Sequence, residues 1–382
     1  MTSRHHLLVI DPTAFAGGSK IATENILRLL DKQMRITVLS ADRDSWGWSG
    51  LHRVRLWEPK TLARQEQGIF YFLRHLHIGL QILIARLRYG RFDVALGASG
   101  PGVDLALYLT RPLLGHKIVQ LIHGPVARSR TIGRCLKTAN QVFYLESSRE
   151  TVIAALSTLR SAPAQLEPQR FQKLQNGLPA NAWPSLSQKR RPVIFWAASL
   201  LKWKGLDTLL DALGRLPEKE RPDTHICYIR PKQTSLPTSR APVGMTHVYW
   251  HEAPENLDKL RAGANIFVST SHGEPFGLSI LEAMAAGHCI VIPADGAFWD
   301  RTLIDGVDCI KYQPDDPADL AEKLRELGQN LQLVRAFGAA AASLAKHYRA
   351  ESCYAPVKEV LERLAERQTD SSLTRADTEV RP

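Results

Sequence analysis

Hydrophobic positions along this chain fall into short continuous runs, separated by longer stretches in which apolar residues recur every three or four positions. Runs at 6–11 ("HLLVID"), 35–40 ("RITVLS"), 93–99 ("DVALGAS") and 117–123 ("KIVQLIH") predict strands buried on both faces. Between them, 14–32, 61–88 and the stretch "GVDLALYLTRPLL" carry the helical period, followed by "IGRCLKTANQVFYLES" as helix then strand, and a helix in "SRETVIAALSTL". The pattern breaks at 175–192 ("QNGLPANAWPSLSQKRRP"), a stretch rich in Asn, Pro and Ser that reads as a linker. It then restarts: strands at 193–199, 225–230, "HVYWH", 265–270, "HCIVIP" and "DCIKY" alternate with helices at 205–216, "NLDKLRAGA" and 278–286. The helix "PADLAEKLRELGQN" and helices near 331–346 and 352–367 follow. Strands alternating with helices imply parallel sheets covered on both faces, twice over. The expected domains are 1–185 and 190–350, with the helix at 352–367 packing back on the first and a disordered polar tail at 368–382.

A length of 382 residues suits two domains, and 44% hydrophobic with 23% charged residues describes a globular chain. Five cysteines, an odd number and never closely paired, argue against a disulfide framework and a zinc cage. The opening "MTSRHHLLVID" enters a strand without a cleavable apolar region, and no uninterrupted apolar run reaches spanning length. The expected compartment is the cytoplasm. The net charge of +11 is uneven: residues 1–190 hold 26 Lys and Arg against 12 Asp and Glu, the remainder 23 against 26. Two halves of opposite balance suggest different partners.

In a parallel α/β sheet ligands sit at the carboxyl ends of strands, where loops enter helix N-termini. Two junctions of the second half fit: "LLKWKG" after strand 193–199 and "SHGEPFG" after strand 265–270. A helix N-terminus offers unpaired N–H groups and partial positive charge, suited to phosphate. Lys202 and Lys204 add full charges, Gly273 and Gly277 let the backbone approach, and Pro275 stiffens the turn. Glu282, one turn inside the helix, could accept two hydrogen bonds from a ribose diol, while Glu274 in the loop reaches past the phosphate. Together they describe a site for a sugar nucleotide. Two glutamates at this spacing also read as ordinary surface residues, and the pair alone does not separate the two.

The longer string does. "GEPFGLSILEAMAAG", with "NIFVST" before it, "CIVIPADG" after it and "DGVDCIKYQPDDPADLAEKL" beyond, resembles the family 4 retaining glycosyltransferases. The likeness extends to "KWKGLDTLLDAL", "LQNGLP" and "FAGGSK", and is strongest from 193 to 325. It implies an α/β fold of GT-B architecture, two facing Rossmann-like doubly wound domains. It further implies that Glu282 binds the nucleotide ribose and that Glu274 sits by the donor sugar and its leaving phosphate. The backbone of Phe276, Gly277 and Leu278 would contact sugar and phosphates, and Lys204 would neutralise phosphate. By the same resemblance His123 lies near the reaction centre and Gly17 and Gly18 near the diphosphate. A lone histidine after a strand is otherwise more often structural. The family's usual arginine, five residues before the lysine, is replaced by Ser199, so that either Lys202 reaches the same phosphates or donor binding is weaker. Its glycine turn after the next strand is "YIRPKQ" here, which rearranges the base-side pocket.

The expected activity is retaining transfer of a hexose from a nucleotide sugar to a saccharide or lipid-linked acceptor, in bacterial envelope polysaccharide assembly. Retention on one face, with the leaving phosphate taking the acceptor's proton, is what the family implies. Lysine and helix amides can stabilise the departing diphosphate, and neither loop carries a DxD-like cluster, so no metal and no cofactor beyond the donor is expected. An inactive scaffold of the same fold and a GT-B-like sugar epimerase are the alternatives. Nothing resembles a nucleic-acid-binding signature.

The basic half holds two further candidates. Segment 68–92 mixes large apolar residues with Arg74, His75, His77, Arg86, Arg88 and Arg91; it suits either an anionic bilayer surface or a Rossmann helix packed on its sheet. In 45–57, Trp46 and Trp48 stand near Arg53 and Arg55 and suit an acceptor, a membrane interface or a buried loop anchor. The localisation that follows is cytoplasmic, peripheral on the inner membrane face.

Overall fold

The computed structural model describes residues 5–13, 17–42, 45–63, 65, 67–160, 166–231 and 236–376, with the side chains of 60 and 367–376 left aside. The chain divides into two units, 1–175 with 351–382, and 176–350.

The first unit runs β1 (His6–Asp11), α1 (Gly18–Arg28), β2 (Arg35–Ser40), β3 (His52–Arg55), α2 (Lys60–Ala63), α3 (Gly68–Tyr89), β4 (Val94–Gly97), α4 (Leu105–Leu114), β5 (Lys117–Ile122), α5 (Arg130–Thr138), β6 (Gln141–Tyr144), α6 (Arg149–Leu156) and β7 (Phe171–Lys173). Its seven strands pair in the order β3-β2-β1-β4-β5-β6-β7, all parallel. β1 is central, paired through Leu7 with Ile36 on one side and Val94 on the other, so both of its faces are covered and every residue is buried. That is why it reads as an unbroken apolar run. Between β1 and β4 the strand order reverses, the switch point where a doubly wound sheet opens a crevice.

The second unit runs β8 (Val193–Ser199), α7 (Leu206–Arg215), β9 (Asp223–Ile229), β10 (Val248–Glu252), α8 (Leu257–Ala262), β11 (Ile266–Val268), α9 (Leu278–Ala285), β12 (Cys289–Pro293), α10 (Phe298–Thr302), β13 (Ile310–Tyr312), α11 (Pro317–Gln329) and α12 (Leu331–Ala345). The parallel order is β10-β9-β8-β11-β12-β13, with its switch point between β8 and β11. Its core joins Ile194 and Trp196 of β8 to Leu209 and Leu213 of α7 and Leu320 and Leu324 of α11. Asp316 caps α11 by accepting from the amides of Ala318 and Asp319, and Pro317 opens its first turn. The short α13 (Ala350–Cys353) begins at the last residue of this unit, and α14 (Ala355–Ala376) belongs to the first, where Glu362 accepts a hydrogen bond from the Asp31 amide at 3.1 Å.

Several expectations need correction. The stretch 175–192 is no free linker: from Asn176 on it belongs to the second unit, with the Ser187 amide donating to Ala286 and the Ser185 hydroxyl to Asp258. The polar tail does not start at 368, because α14 continues to Ala376; residues 377–382 lie outside those described. α3, at 22 residues, is by length and composition long and apolar enough to cross a membrane, although Arg74, Arg86 and Arg88 keep it from being an uninterrupted apolar run. Of the readings offered for the tryptophans, Trp46 takes that of the buried loop anchor. It is 3% exposed and its Nε1 donates to Asp11 at 2.8 Å, while Trp48 lies half-buried beneath the Arg28 guanidinium.

Candidate functional site

The second unit brings its two predicted loops together at the β8–β11 switch point. After β8, a 3-10 turn (Lys202–Lys204) ends at Gly205 in the left-handed conformation (φ 71°) and α7 begins. After β11, Ser269, Thr270 and Ser271 stay buried before the turn at Gly273. The loops are tied to each other. Thr270 Oγ1 donates to the Lys204 carbonyl at 3.0 Å and accepts from Trp196 Nε1 at 3.0 Å, and the His272 amide donates to the Trp203 carbonyl at 2.9 Å. A Cβ on Gly205 would overlap the Thr270 carbonyl, so glycine is needed there both for its φ and for the close approach.

Across this joint Lys204 Nζ meets Glu274 Oε2 at 2.5 Å, with both side chains mostly buried, and lies 4.0 Å over the Trp203 ring. Phe276 is 3% exposed, its ring packed on Phe298, Trp299 and Tyr348 at 4.8–6.1 Å between centroids. Only its backbone is left for a ligand. Gly277 (φ 75°) precedes α9 with no side-chain cap, and a Cβ there would come within 2.9 Å of Glu274 Cγ. The first bonds of α9 are donated by Ile280 and Leu281 to the Gly277 carbonyl, so the amides of Leu278 and Ser279 precede the intrahelical ladder. Its first turn carries no carboxylate. α7 differs, because Asp207 occupies its first turn and holds Lys202 Nζ at 2.7 Å. Burial raises the Asp207 carboxyl pKa, but the bonds from Lys202 and Ser239 outweigh it and leave it below the ordinary value. The uncommitted helix N-terminus of the pair is therefore that of α9. Lys202 is turned to Asp207 and is not brought to Glu274; Ser199 ends β8, half-buried.

Glu282 lies one turn into α9, its Oε2 held by Arg261 Nη2 at 2.5 Å. Burial lifts its carboxyl above the ordinary range, the Arg261 guanidinium opposes the lift, and Asp258 adds to it. Arg261 on α8, only 6% exposed, also holds Asp258 at 3.0 Å and so fixes the carboxylate from behind. Sequence reasoning missed Arg261, since nothing in the spacing of "NLDKLRAGA" marks an arginine that reaches a glutamate 21 residues on. It also missed Asp295 after β12, which accepts from the Gly273 amide at 2.8 Å and pins the glutamate loop. Replacing Arg261 by methionine should cost about 2–3 kcal/mol of stability, somewhat below the cost of breaking a fully buried pair; denaturant unfolding checks this, and Arg261→Lys should recover part of the loss.

Gly17, Gly18 and His123 belong to the first unit, at the carboxyl edge of its sheet. Gly17 precedes α1 in an extended conformation (φ −156°) open to any residue. Lys20 of α1 has its Nζ at 2.9 Å from Asp11 and Asp42 and at 2.7 Å from the Thr13 carbonyl. Phe15 and Ala16 of the "FAGGSK" motif, and Lys232 and Gln233 of the departing "YIRPKQ" turn, lie outside the described residues. His123 follows β5; burial lowers its pKa to about 4, so the ring is neutral, and both ring nitrogens lack partners among the described residues.

Residues 179–343 match the family model for glycosyl transferases group 1. The MMP alpha-(1->4)-mannosyltransferase of Mycolicibacterium hassiacum is 27% identical over 270 residues, 65% of this chain and 64% of that protein. The D-inositol 3-phosphate glycosyltransferase of Geodermatophilus obscurus is 29% identical over 159 residues, 38% of this chain and 35% of that protein. The chain thus spans under two thirds of the length of either relative. Among solved structures, Anabaena Alr3699/HepE in complex with UDP-glucose aligns at a TM-score of 0.71 and 15% identity over 94% of this chain and 99% of that one. WaaG, a glycosyltransferase involved in lipopolysaccharide biosynthesis, aligns at 0.61 and 15% identity over 93% and 99%. At these identities the likeness shows the fold: two Rossmann-like α/β units of the GT-B class.

Proposed function

We propose, from the premise that the second unit belongs to the glycosyl transferases group 1, that this chain transfers a sugar from a nucleotide sugar to a hydroxyl acceptor with retention at the anomeric carbon. The observation that carries the reading is the Lys204–Glu274 pair at the β8–β11 switch point, beside the uncapped α9 and one turn ahead of Glu282. The donor's diphosphate takes Lys204 and the Leu278 and Ser279 amides, its ribose takes the Oε1 face of Glu282, and its sugar lies by Glu274. In the reaction the anomeric carbon–phosphate oxygen bond breaks as the acceptor oxygen bonds the same carbon from the same face, and the acceptor proton passes to the leaving phosphate. Lys204 and the α9 amides stabilise charge growing on that phosphate without a metal. Relatives named for sugar transfer, and neighbours crystallised with UDP and UDP-glucose, make a UDP-hexose the first donor to try. The acceptor class is a saccharide or lipid-linked saccharide of an envelope polymer, and the compartment the cytoplasmic side of the membrane.

Thermal unfolding against UDP-, GDP- and ADP-sugars tests the donor, since a ligand bound only by the folded state raises the melting temperature. In steady-state kinetics Glu282→Gln should raise the donor KM roughly tenfold with little change in kcat, the cost of weakening a charged hydrogen bond to the ribose. Glu274→Gln should lower kcat more than it raises KM. Full activity in both variants would remove the site assignment, and donor binding without nucleotide release in the presence of acceptor would identify a binding scaffold.

A further inference from the structure

The outward face of α3 is apolar where a surface helix is ordinarily polar. With about 100° of rotation per residue, Ile69, Leu73, Leu76, Leu80, Ile84 and Leu87 fall on one face, and they are 44–87% exposed. The opposite face is core: Ile78 and Ile82 are fully buried against the sheet. Polar side chains are swept to the flanks. Arg74 is buried against Glu58 at 2.7 Å, His77 and Gln81 hold the Trp57 carbonyl, and Arg86 and Arg88 stand on either side of Leu87. Trp57 itself is 56% exposed, its ring 5.2 Å from that of His77, at the edge of the ridge. α4, packed beside α3, exposes Leu113 as well. Soluble monomers seldom leave an apolar surface of this extent uncovered.

The charge pattern selects what covers it. Between Gln67 and Phe92, and again between Leu105 and Leu145, the sequence holds no Asp or Glu and ten Lys and Arg, of which Arg74 and Arg91 pair with Glu58 and Asp93. Those stretches contain α3, α4 and α5. A second copy would set this cationic face against itself, whereas an anionic bilayer offers acyl chains to the ridge and phosphates to its rim. The helix is long enough to span, but its inner face is committed to the sheet, so it lies in the plane of the interface.

We propose that α3 docks the first unit on an anionic membrane surface, with the ridge at the acyl boundary, Trp57 at headgroup level and Arg86 and Arg88 on lipid phosphates. The full chain should pellet with vesicles containing phosphatidylglycerol and far less with pure phosphatidylcholine. High salt should remove part of that binding, since screening weakens the charge contribution and not the apolar one. Leu76→Glu/Leu80→Glu, both exposed positions, should weaken binding by at least roughly tenfold with circular dichroism and melting unchanged. A blue shift of tryptophan emission on vesicle binding should be largely lost in Trp57→Phe. No pelleting at low salt, or equal binding by the double variant, overturns the proposal. So does a dimer in sedimentation without lipid that the double variant converts to monomer while vesicles are ignored, because a second copy then covers the ridge. Donor binding, measured without vesicles, is unaffected by either result.

Discussion

Replacing Lys204 by alanine should lower kcat/KM for the sugar nucleotide by about 10²–10³-fold, the range seen when one preorganised donor to a developing anion is removed. Two effects add. On the proposed reading the departing diphosphate loses the lysine that, among the described residues, meets Glu274 at the β8–β11 crevice, Lys202 being paired with Asp207. Glu274, whose side chain is only 14% exposed, loses its counter-ion 2.5 Å away and is left partly desolvated. The variant should therefore also melt a few degrees lower. Lys204→Arg keeps the charge and the stacking on Trp203 but not the point geometry, and should recover stability more fully than turnover. Initial rates and nucleotide binding measured on the same preparations separate the two effects. Wild-type donor affinity in Lys204→Ala would show that the diphosphate binds elsewhere.

Mild acid should weaken the protein through its buried histidines, before carboxylates of ordinary pKa titrate. Burial lowers His6, His75 and His116 to about 4 and His288 to about 3, all from an ordinary 6.5, and each of these rings is at most 4% exposed. Below pH 6.5 the unfolded chain takes up protons that the folded chain refuses until about pH 4. The share of stability that rests on these histidines is therefore complete above pH 6.5 and drains away as pH falls towards 4, by at most about 3 kcal/mol for each. Asp104, which burial pushes up to about 7, opposes part of the loss because the folded chain protonates it first. His75 is the clearest probe: neither ring nitrogen has a partner among the described residues and the ring packs edge-on against Tyr71. His75→Phe should be neutral or stabilising at pH 7.5 and should hold about 2.5 kcal/mol more of its stability at pH 4.5 than wild type. Denaturant unfolding at a series of pH values reads this directly. A wild-type midpoint unchanged between pH 7.5 and 4.5 would mean that these rings are hydrated.

What the sequence reveals of the fold tracks how deeply each element is buried. β1, β5, β8 and β12 are covered on both faces and announce themselves as apolar runs. β3 ("HRVR") and β7 ("FQK") are short edge strands with solvent on one side, so nothing apolar marks them. α3 reads as a helix but hides its orientation for the opposite reason: with apolar residues on two opposite faces the sequence carries no record of which side faces inward, and the structure shows core on one side and an exposed ridge on the other. Lys204, Glu274 and Glu282 are legible because strand-to-helix junctions place them. Arg261, Asp295 and the partner of Trp46 are not, because each contact joins segments set side by side only by the sheet order.

The joint between the two loops of the second unit bears on how such a site could be redesigned. Because Gly205 presses on Thr270, and Thr270 and His272 are bonded to the turn at Lys202–Lys204, neither loop can gain or lose a residue without displacing the other. Mutational libraries aimed at a new donor sugar would spend most of their diversity on misfolded members if they sampled 200–205 or 270–277. The productive freedom lies in the neighbouring wall at Ala297 and Asp300, which lines a small recess with Ser271 and Glu274 yet stands outside the joint, whereas Asp295 beside them is bound to the Gly273 amide. Inheritance of the paired loops as a block, with variation confined to that wall, is the pattern that this construction imposes on its descendants.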